Sequence, residues 1–320
     1  MAVYTDITDS ELAAFLADYD LGTLHAFKGI AEGVENSNFL VETDRARLIL
    51  TLYERRVAET DLPFFIGLMS HLAQNGFPSP VPQTDRQGRN LKRLRDRPAA
   101  LVSFLDGFSV REPLEVHCWQ AGYGLAQLHL AAQSFSMSRT NSLGLAAWRP
   151  LFAPHAQAAE GLEQGLSARV SNDLDDLAKT WPSGLPEGVI HADLFPDNVF
   201  FLEDRFVAAI DFYFACSDML AYDLAICLNA WCHDATGRLD LVRARAMVEG
   251  YQSLRTLSDS EVAALPALAR GAAMRFFLTR LADWGAARPG ALVRPKDPLE
   301  YARKLDFHRA HHAAPAAYGL

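Results

Sequence analysis

The chain has 320 residues, 50% of them hydrophobic and 22% charged, which is an ordinary globular composition with enough length for two lobes and not that of a disordered chain. Its 39 Asp and Glu against 30 Lys and Arg leave a net charge of -9, which excludes a phosphate-backbone binder, because nucleic-acid affinity needs a basic face. The start, Met1-Ala2-Val3-Tyr4-Thr5-Asp6, has no basic stretch followed by an apolar one, and no apolar run is expected to reach membrane-spanning length, so a cytoplasmic location without a membrane partner is predicted.

Thr8-Asp9-Ser10-Glu11 has the form of a capping box, and Leu12, Phe15, Leu16 and Tyr19 follow at helical spacing, so a short amphipathic helix opens the chain. Leu24 to Ile30, Asn38 to Thr43 and Arg47 to Tyr53 alternate or run apolar, with Asp44-Arg45-Ala46 as the turn between the last two. This is the pattern of a small antiparallel sheet. The connection from Lys28 to Asn38 holds Gly29 and Gly33, which permit close backbone approach to a ligand; a plain hairpin would use the same glycines. A helix is predicted from Leu62 to Asn75, with Pro63 in its first turn and Gly76-Phe77-Pro78 as its stop. Pro98 to Leu105 reads as a buried strand ended by Asp106-Gly107.

Beyond His117, the spacing of Cys118, Ala121, Gly122, Leu125, Leu128 and Ala132 predicts a long core helix, and its His129 is read as a core histidine without a role. Gln133 to Val170 gives no defined element, and helix returns near Asp173 to Lys179. The stretch from Val189 to Phe201 and the run Phe206 to Phe212 flank a polar turn at Glu203-Asp204-Arg205. They are predicted to form a buried hairpin whose mouth carries Asp193, Asn198 and Asp211. Tyr222 to Trp231, Asp240 to Tyr251 and Ala264 to Trp284 read as helices. The tail from Pro295, with His308, His311 and His312, reads as a solvated terminal segment. Cys118, Cys216, Cys227 and Cys232 have no metal-ligand spacing and are expected to be reduced and buried.

Asp193, Asn198 and Asp211 suit phosphoryl transfer from a nucleotide triphosphate, in which the protein positions groups and neutralises charge. Asp211 and Asn198 are the hard oxygen ligands that Mg²⁺ prefers, and Asp193 is then free to act as a base toward an attacking hydroxyl. The spacing His191-x-Asp193-x-x-x-x-Asn198 has the offsets of a kinase catalytic loop, and Asp211-Phe212 follows an apolar strand as the metal-binding pair of kinases does.

With these motifs the chain resembles the aminoglycoside-phosphotransferase and choline-kinase-like enzymes. Gly33-Val34-Glu35-Asn36-Ser37-Asn38, the loop from His191 to Phe200 and Ile210-Asp211-Phe212-Tyr213-Phe214-Ala215-Cys216 are similar to the homoserine kinases of that superfamily. The resemblance implies an α+β, two-lobed protein-kinase-like fold, with a nucleotide-binding lobe over 1–105 and a catalytic and substrate-binding lobe over 106–320. It implies ATP and Mg²⁺ as cofactors and L-homoserine as acceptor, with O-phospho-L-homoserine as product. Gly33, Asn36 and Ser37 would meet the phosphates, backbone groups of Ser103, Phe104 and Leu105 the adenine edge. Asp223 would support His191 or neighbouring backbone amides. The chain departs from the family where a strand Lys or Arg would reach the phosphates: that position falls near Thr51, and Phe65 or Ile66 stands where its acidic partner is expected. Lys28, Arg47, Arg55 and Arg56 are the candidate replacements. An acceptor carboxylate calls for a cation, and Arg280 beside Trp284 is the candidate, an ion pair being the other reading of that arginine. A different acceptor (choline, ethanolamine, a sugar or an aminoglycoside) and a nucleotide-binding scaffold without turnover are the competing readings. Oligomeric state is not legible in the sequence.

Overall fold

The computed structural model describes residues 5–30, 36–54, 57–286, 295–311 and 315–318. The chain divides into two compact units, Met1–Asp106 and Gly107–Leu320.

In the first unit, α1 (Asp9–Leu16) starts at Thr8, whose hydroxyl accepts from the Glu11 amide while the Glu11 carboxylate takes the Thr8 N–H at 2.8 Å. This capping box satisfies two backbone donors that a helix start leaves open. Strands β1 (Leu24–Gly29), β2 (Ser37–Thr43) and β3 (Arg47–Leu52) precede α2 (Leu62–Gln74), β4 (Lys92–Leu94) and β5 (Arg97–Ser103). They form one antiparallel sheet in the order β1-β2-β3-β5-β4. Alternation along β2 and β3 buries Phe39, Val41, Leu48 and Leu50, which share a core with Leu12, Phe15, Leu16 and Tyr19.

The second unit begins with α3 (Glu115–Ala131), α4 (Leu145–Phe152), α5 (Ala156–Leu162) and α6 (Leu166–Thr180). Helices therefore occupy the segment that gave no element in the sequence. Pro150 lies inside α4 and α5 has only 7 residues, too little chain to display a helical period. Strands β6 (Glu187–Ile190), β7 (Val199–Leu202), β8 (Arg205–Ala209) and β9 (Cys216–Met219) follow. The hairpin is β7 with β8, closed by Glu203 (φ 48) and Asp204 (φ 58), both left-handed as a two-residue turn of this hand requires. The sequence placed β6 in the same ribbon, but β6 pairs with β9 instead. The segment carrying Asp193 and Asn198 thus links two separate ribbons.

The unit ends with α7 (Leu220–Trp231), α8 (Leu241–Gln252), α9 (Asp259–Ala286) and α10 (Pro298–Ala310). By length and composition α9 is apolar enough to cross a bilayer, contrary to the expectation from the sequence. However, 72% of its apolar window is buried inside the protein, as in a core helix. The tail is likewise no solvated segment: Tyr301, Leu305, His308 and Tyr318 are fully buried. His308 bonds the Tyr318 hydroxyl and Asn229 Oδ1, each at 2.8 Å, and Lys304 donates to the Asn229 carbonyl at 2.9 Å. His312 lies outside the described residues. All four cysteines are free and buried.

Helices α3 and α8 pack backbone to backbone through a pair of glycines. A Cβ on Gly122 would lie 2.0 Å from the Met247 carbonyl oxygen, and one on Gly250 2.0 Å from that of Trp119. Either substitution must push the helices apart. Gly122→Ala is expected to destabilise the fold by about 1–3 kcal/mol in urea unfolding, and an unchanged midpoint would refute the contact.

Burial also holds three histidines neutral. It lowers the pKa of His191 and of His308, and brings that of His233 from 6.5 to about 3. The unfolded chain takes up these protons as pH falls through about 6.5 while the folded chain does not. Stability is therefore present above that pH and lost below it, by up to about 1.4 kcal/mol per pH unit for each histidine. The melting temperature should fall between pH 7.5 and pH 5; a flat profile there contradicts the burial.

Candidate active site

Residues His191 to Asn198 carry the candidate chemistry, and their backbone is held from two helices. Asp223 in α7, fully buried, accepts the amide of His191 at 2.7 Å and that of Ala192 at 2.9 Å, one on each carboxylate oxygen. Ala192 sits at φ 62, a left-handed conformation that a residue with a Cβ adopts only at a cost. The two-point grip of Asp223 fixes it. Farther along α7, the Trp231 indole donates to the Leu194 carbonyl at 2.7 Å. From α9, Arg275 donates through Nη1 to the Ala192 carbonyl. Burial on its own would raise the Asp223 pKa, but the His129 hydrogen bond and the neighbouring imidazoles outweigh it and hold the carboxyl below its ordinary range.

His191 accepts the Asp193 amide on Nδ1 at 3.2 Å and donates from Nε2 to the Ile210 carbonyl at 3.0 Å. One ring nitrogen accepts and the other donates, so the imidazole is neutral, in keeping with its lowered pKa. It ties the loop to the end of the β8 strand, next to Asp211.

Asn198 donates Nδ2 to the Asp193 carbonyl at 2.8 Å and to the Asp193 carboxylate at 3.2 Å. A carbonyl only accepts, so the amide nitrogen must face it, and Oδ1 is left as a hard oxygen donor. Asp211 is exposed, at φ 64. Burial pushes the Asp193 carboxyl well above the usual carboxylate range; Arg275 pulls it down, Asp211 and Asp197 push it up, and Lys296 pulls it down. The Asp211 charge thus disfavours ionisation of Asp193. Among the described residues there is no group of three His, Cys, Asp or Glu side chains able to hold a metal. Two protein oxygens with the rest from phosphate and water is the coordination Mg²⁺ accepts, and Asn198 Oδ1 with Asp211 fits it.

In the first unit, Gly33 lies outside the described residues, as do Arg55 and Arg56. Asn36 and Ser37 are buried and turned toward Glu54: Ser37 donates to its carboxylate at 2.7 Å, and the Glu54 amide donates to Asn36 Oδ1 at 3.3 Å. Thr51, where the family cation was sought, is buried and donates to Asn38 Oδ1 at 2.8 Å. Arg47 pairs with Asp106 at 2.7 Å and covers the Phe104 ring. The Ser103 amide is used by Val81 and the Phe104 amide by Arg47, so of the three adenine-edge candidates only Leu105 has an amide outside these bonds.

The phosphotransferase enzyme family model matches residues 26–257. A homoserine kinase of Caulobacter sp. (strain K31) is 61% identical over 310 residues, 97% of each chain. One of Xanthobacter autotrophicus is 57% identical over 320 residues, 100% of this chain and 99% of the other. The chain belongs to the homoserine kinases of the phosphotransferase enzyme family. Its fold is kinase-like, as solved structures of far lower identity also indicate. An amicoumacin kinase bound to AMP-PNP and Ca²⁺ aligns over 96% of this chain and 93% of its own with a TM-score of 0.69 at 15% identity. A microcompartment-associated aminopropanol kinase aligns over 98% and 97% with a TM-score of 0.68 at 20% identity.

Two side chains that hold the loop, Arg275 and His129, were not singled out from the sequence, and Arg280 shows the ion pair that was its other reading. Arg280, the candidate for the acceptor carboxylate, is paired through Nη1 at 2.6 Å with Glu300 of α10 and lies over the Tyr301 ring. Burial pushes Glu300 up, but Lys304 and Arg280 outweigh it and hold its pKa down at about 2. Trp284 is 42% exposed near the end of α9. The arginine on the loop is Arg275, 2% exposed, with its guanidinium 4.4 Å from the Phe276 ring centroid and 5.4 Å from that of Phe214. A single cation inside the apolar run Gly271 to Leu278 was the available signal, since such a charge is rarely buried without a partner. His129, first read as inert, bonds Asp223 at 3.2 Å and the Tyr251 hydroxyl at 2.9 Å.

Asp223→Asn keeps the shape but turns an NH₂ toward one of the two loop amides. It is expected to lower kcat by about 10–100-fold, the range seen when a partner that orients a reacting group is lost, read as ADP release. Full turnover in that variant would show that the loop does not depend on the grip.

Proposed function

We propose that the chain transfers the γ-phosphoryl group of ATP to the side-chain hydroxyl of L-homoserine, giving O-phospho-L-homoserine and ADP. Family membership over the full chain supports the reaction class and the acceptor. The observation that carries the mechanism is the loop in which Asn198 is bonded to Asp193 while Asp223 fixes the backbone before it.

In this reading the Asp193 carboxylate accepts the proton of the acceptor hydroxyl and holds its oxygen in line with the γ-phosphorus. Asn198 Oδ1 and Asp211 hold Mg²⁺, which, when bound, neutralises charge on the triphosphate. The Asn198 amide nitrogen orients the base, and His191 sets the distance between the two halves of the site through its bonds to Asp193 and Ile210. In the first unit, the Leu105 amide is assigned to the adenine edge and the segment through Gly33, Asn36 and Ser37 to the phosphates.

Homoserine is a zwitterion, so its recognition needs a cation near Asp193. Arg275 and Lys296 are cations whose charge lowers the Asp193 pKa. Lys296 is the accessible one: it is exposed, 3.5 Å from Asp197 and 5.4 Å from the Phe195 ring centroid. The Lys296–Asp197 pair offers one charge for the acceptor's carboxylate and one for its ammonium. Arg275, buried against the loop, acts on the base itself.

A coupled assay of ADP release with homoserine, choline, ethanolamine, an aminoglycoside and a sugar tests the assignment. Turnover with homoserine well above the others is expected, and none with homoserine removes it. Asp193→Asn should lower kcat by about 10²–10⁴-fold, the worth of a positioned base. Lys296→Met should raise KM for homoserine about tenfold, the scale of one charge-assisted contact. It should also move the acid limb of kcat/KM upward: Asp193 works deprotonated, and removing a cation that lowers its pKa leaves it protonated to higher pH. A limb that stays in place or moves down contradicts the assignment.

A further inference from the structure

Helix α9 sends two arginines to the two segments on which acceptor binding depends. Arg275 donates to the Ala192 carbonyl, next to Asp193, and Arg280 donates through Nη1 to the Asp297 carbonyl at 3.3 Å, next to Lys296. At 1.5 Å of rise per residue the two arginines stand about 7.5 Å apart along one core helix. Helix geometry thus sets the spacing of the two donors.

Lys296 is not held by its own side chain. Its ion pair with Asp197 spans 3.5 Å with side chains 62% and 64% exposed, and a pair so open to water contributes little. What holds Lys296 is the chain that follows it. The Asp297 carboxylate accepts the Leu299 amide at 2.9 Å and starts α10, while the Asp297 carbonyl takes Arg280. Arg280 also bonds Glu300, in the first turn of α10, at 2.6 Å and lies 4.5 Å from the Tyr301 ring centroid. Lys304 donates to the other Glu300 oxygen at 2.8 Å.

Arg280 is 9% exposed. A buried ion pair adds little net stability over apolar packing, so stability is a poor reason for a charge at this turn of an apolar helix. Its bonds run instead to the carbonyl beside Lys296 and to the first turn of α10. They fix where that helix, and the residue before it, begin.

We infer, on the reading of Lys296 given under the proposed function, that Arg280 is a positioning residue for the acceptor: by tying Asp297 and Glu300 to α9 it holds Lys296 where the acceptor's carboxylate meets it. A lysine on a loose segment must be ordered when the acceptor binds, which weakens binding. The phosphoryl transfer itself is untouched, because Asp193 and Asn198 are held by bonds that Arg280 does not make.

The test measures kcat and the KM of homoserine and of ATP in the wild-type chain, Arg280→Gln, Lys296→Met and the double variant. Arg280→Gln is expected to raise KM for homoserine about 3–10-fold, with kcat and KM for ATP within about twofold. Arg280→Lys, which keeps a charged donor, should recover most of the loss. In the Lys296→Met background Arg280→Gln should add less than about twofold, because the two act as one unit. An equal rise in both backgrounds shows that Arg280 acts without Lys296, and a matching fall in kcat shows that it supports the fold at large; either overturns the inference. So does an unchanged KM in Arg280→Gln while Lys296→Met raises it. An unchanged KM in Lys296→Met removes the acceptor reading of Lys296 and the role of Arg280 with it, so the two failures are told apart. If Arg280→Gln does not fold, Glu300→Gln, which weakens the same hold, goes through the same cycle and decides.

Discussion

A buried carboxylate accepting two successive backbone amides is the constraint on which the catalytic half of this kinase rests. Asp223 could not stay ionised in the core without compensation, because burial alone drives a carboxyl toward its neutral form. The compensation is what shapes the loop: the donors it recruits are the amides of His191 and Ala192 and the ring of His129. Satisfying the charge and bending the backbone into the left-handed turn at Ala192 are the same set of bonds. Asp193 leaves that turn already aimed, and Asn198 needs only its own amide to hold it.

The grip extends outward through a chain of hydrogen bonds. Arg255 donates to the Tyr251 hydroxyl at 3.0 Å, and His129 links that hydroxyl to Asp223. Arg255 is in turn paired with Glu261 at 2.8 Å. A buried network with every member satisfied is rigid, whereas one with a missing partner is costly. This chain reaches from the catalytic loop to the start of α9. The same helix then returns to the loop through Arg275, so α9 supports the site at two points of its length.

Helix α9 shows how an apolar helix carries charge into a core. Each of its three inward arginines has a different partner: Asp173 for Arg270, the Ala192 carbonyl for Arg275, Glu300 for Arg280. Only the middle one meets the catalytic loop. The first unit makes a similar substitution of partners. Where related kinases place a cation on β3, Thr51 bonds Asn38, and the buried acid nearby, Glu54, takes Ser37, Thr5 and Arg97 instead. The departure in sequence is thus a closed polar cluster, not a vacancy.

The first three strands, α2, α3 and α7 to α9, the capping box at Thr8, the β7–β8 turn and the positions of the motif residues Asp193, Asn198 and Asp211 were legible in the sequence, because local patterns and short spacings encode them. The family too was legible, since its motifs are contiguous. The short helices of 145–162 were not, for want of a full period, and the pairing of β6 with β9 was not, because strand pairing is a contact between distant residues. The choice among Arg270, Arg275 and Arg280 was beyond the sequence for the same reason. All three stand on one helix at similar spacing, and which of them meets an acid or a loop carbonyl depends on what α6, α10 and the catalytic loop bring against each turn. Sequence supplied the candidate reacting groups; tertiary packing decided which charges hold the loop that carries them.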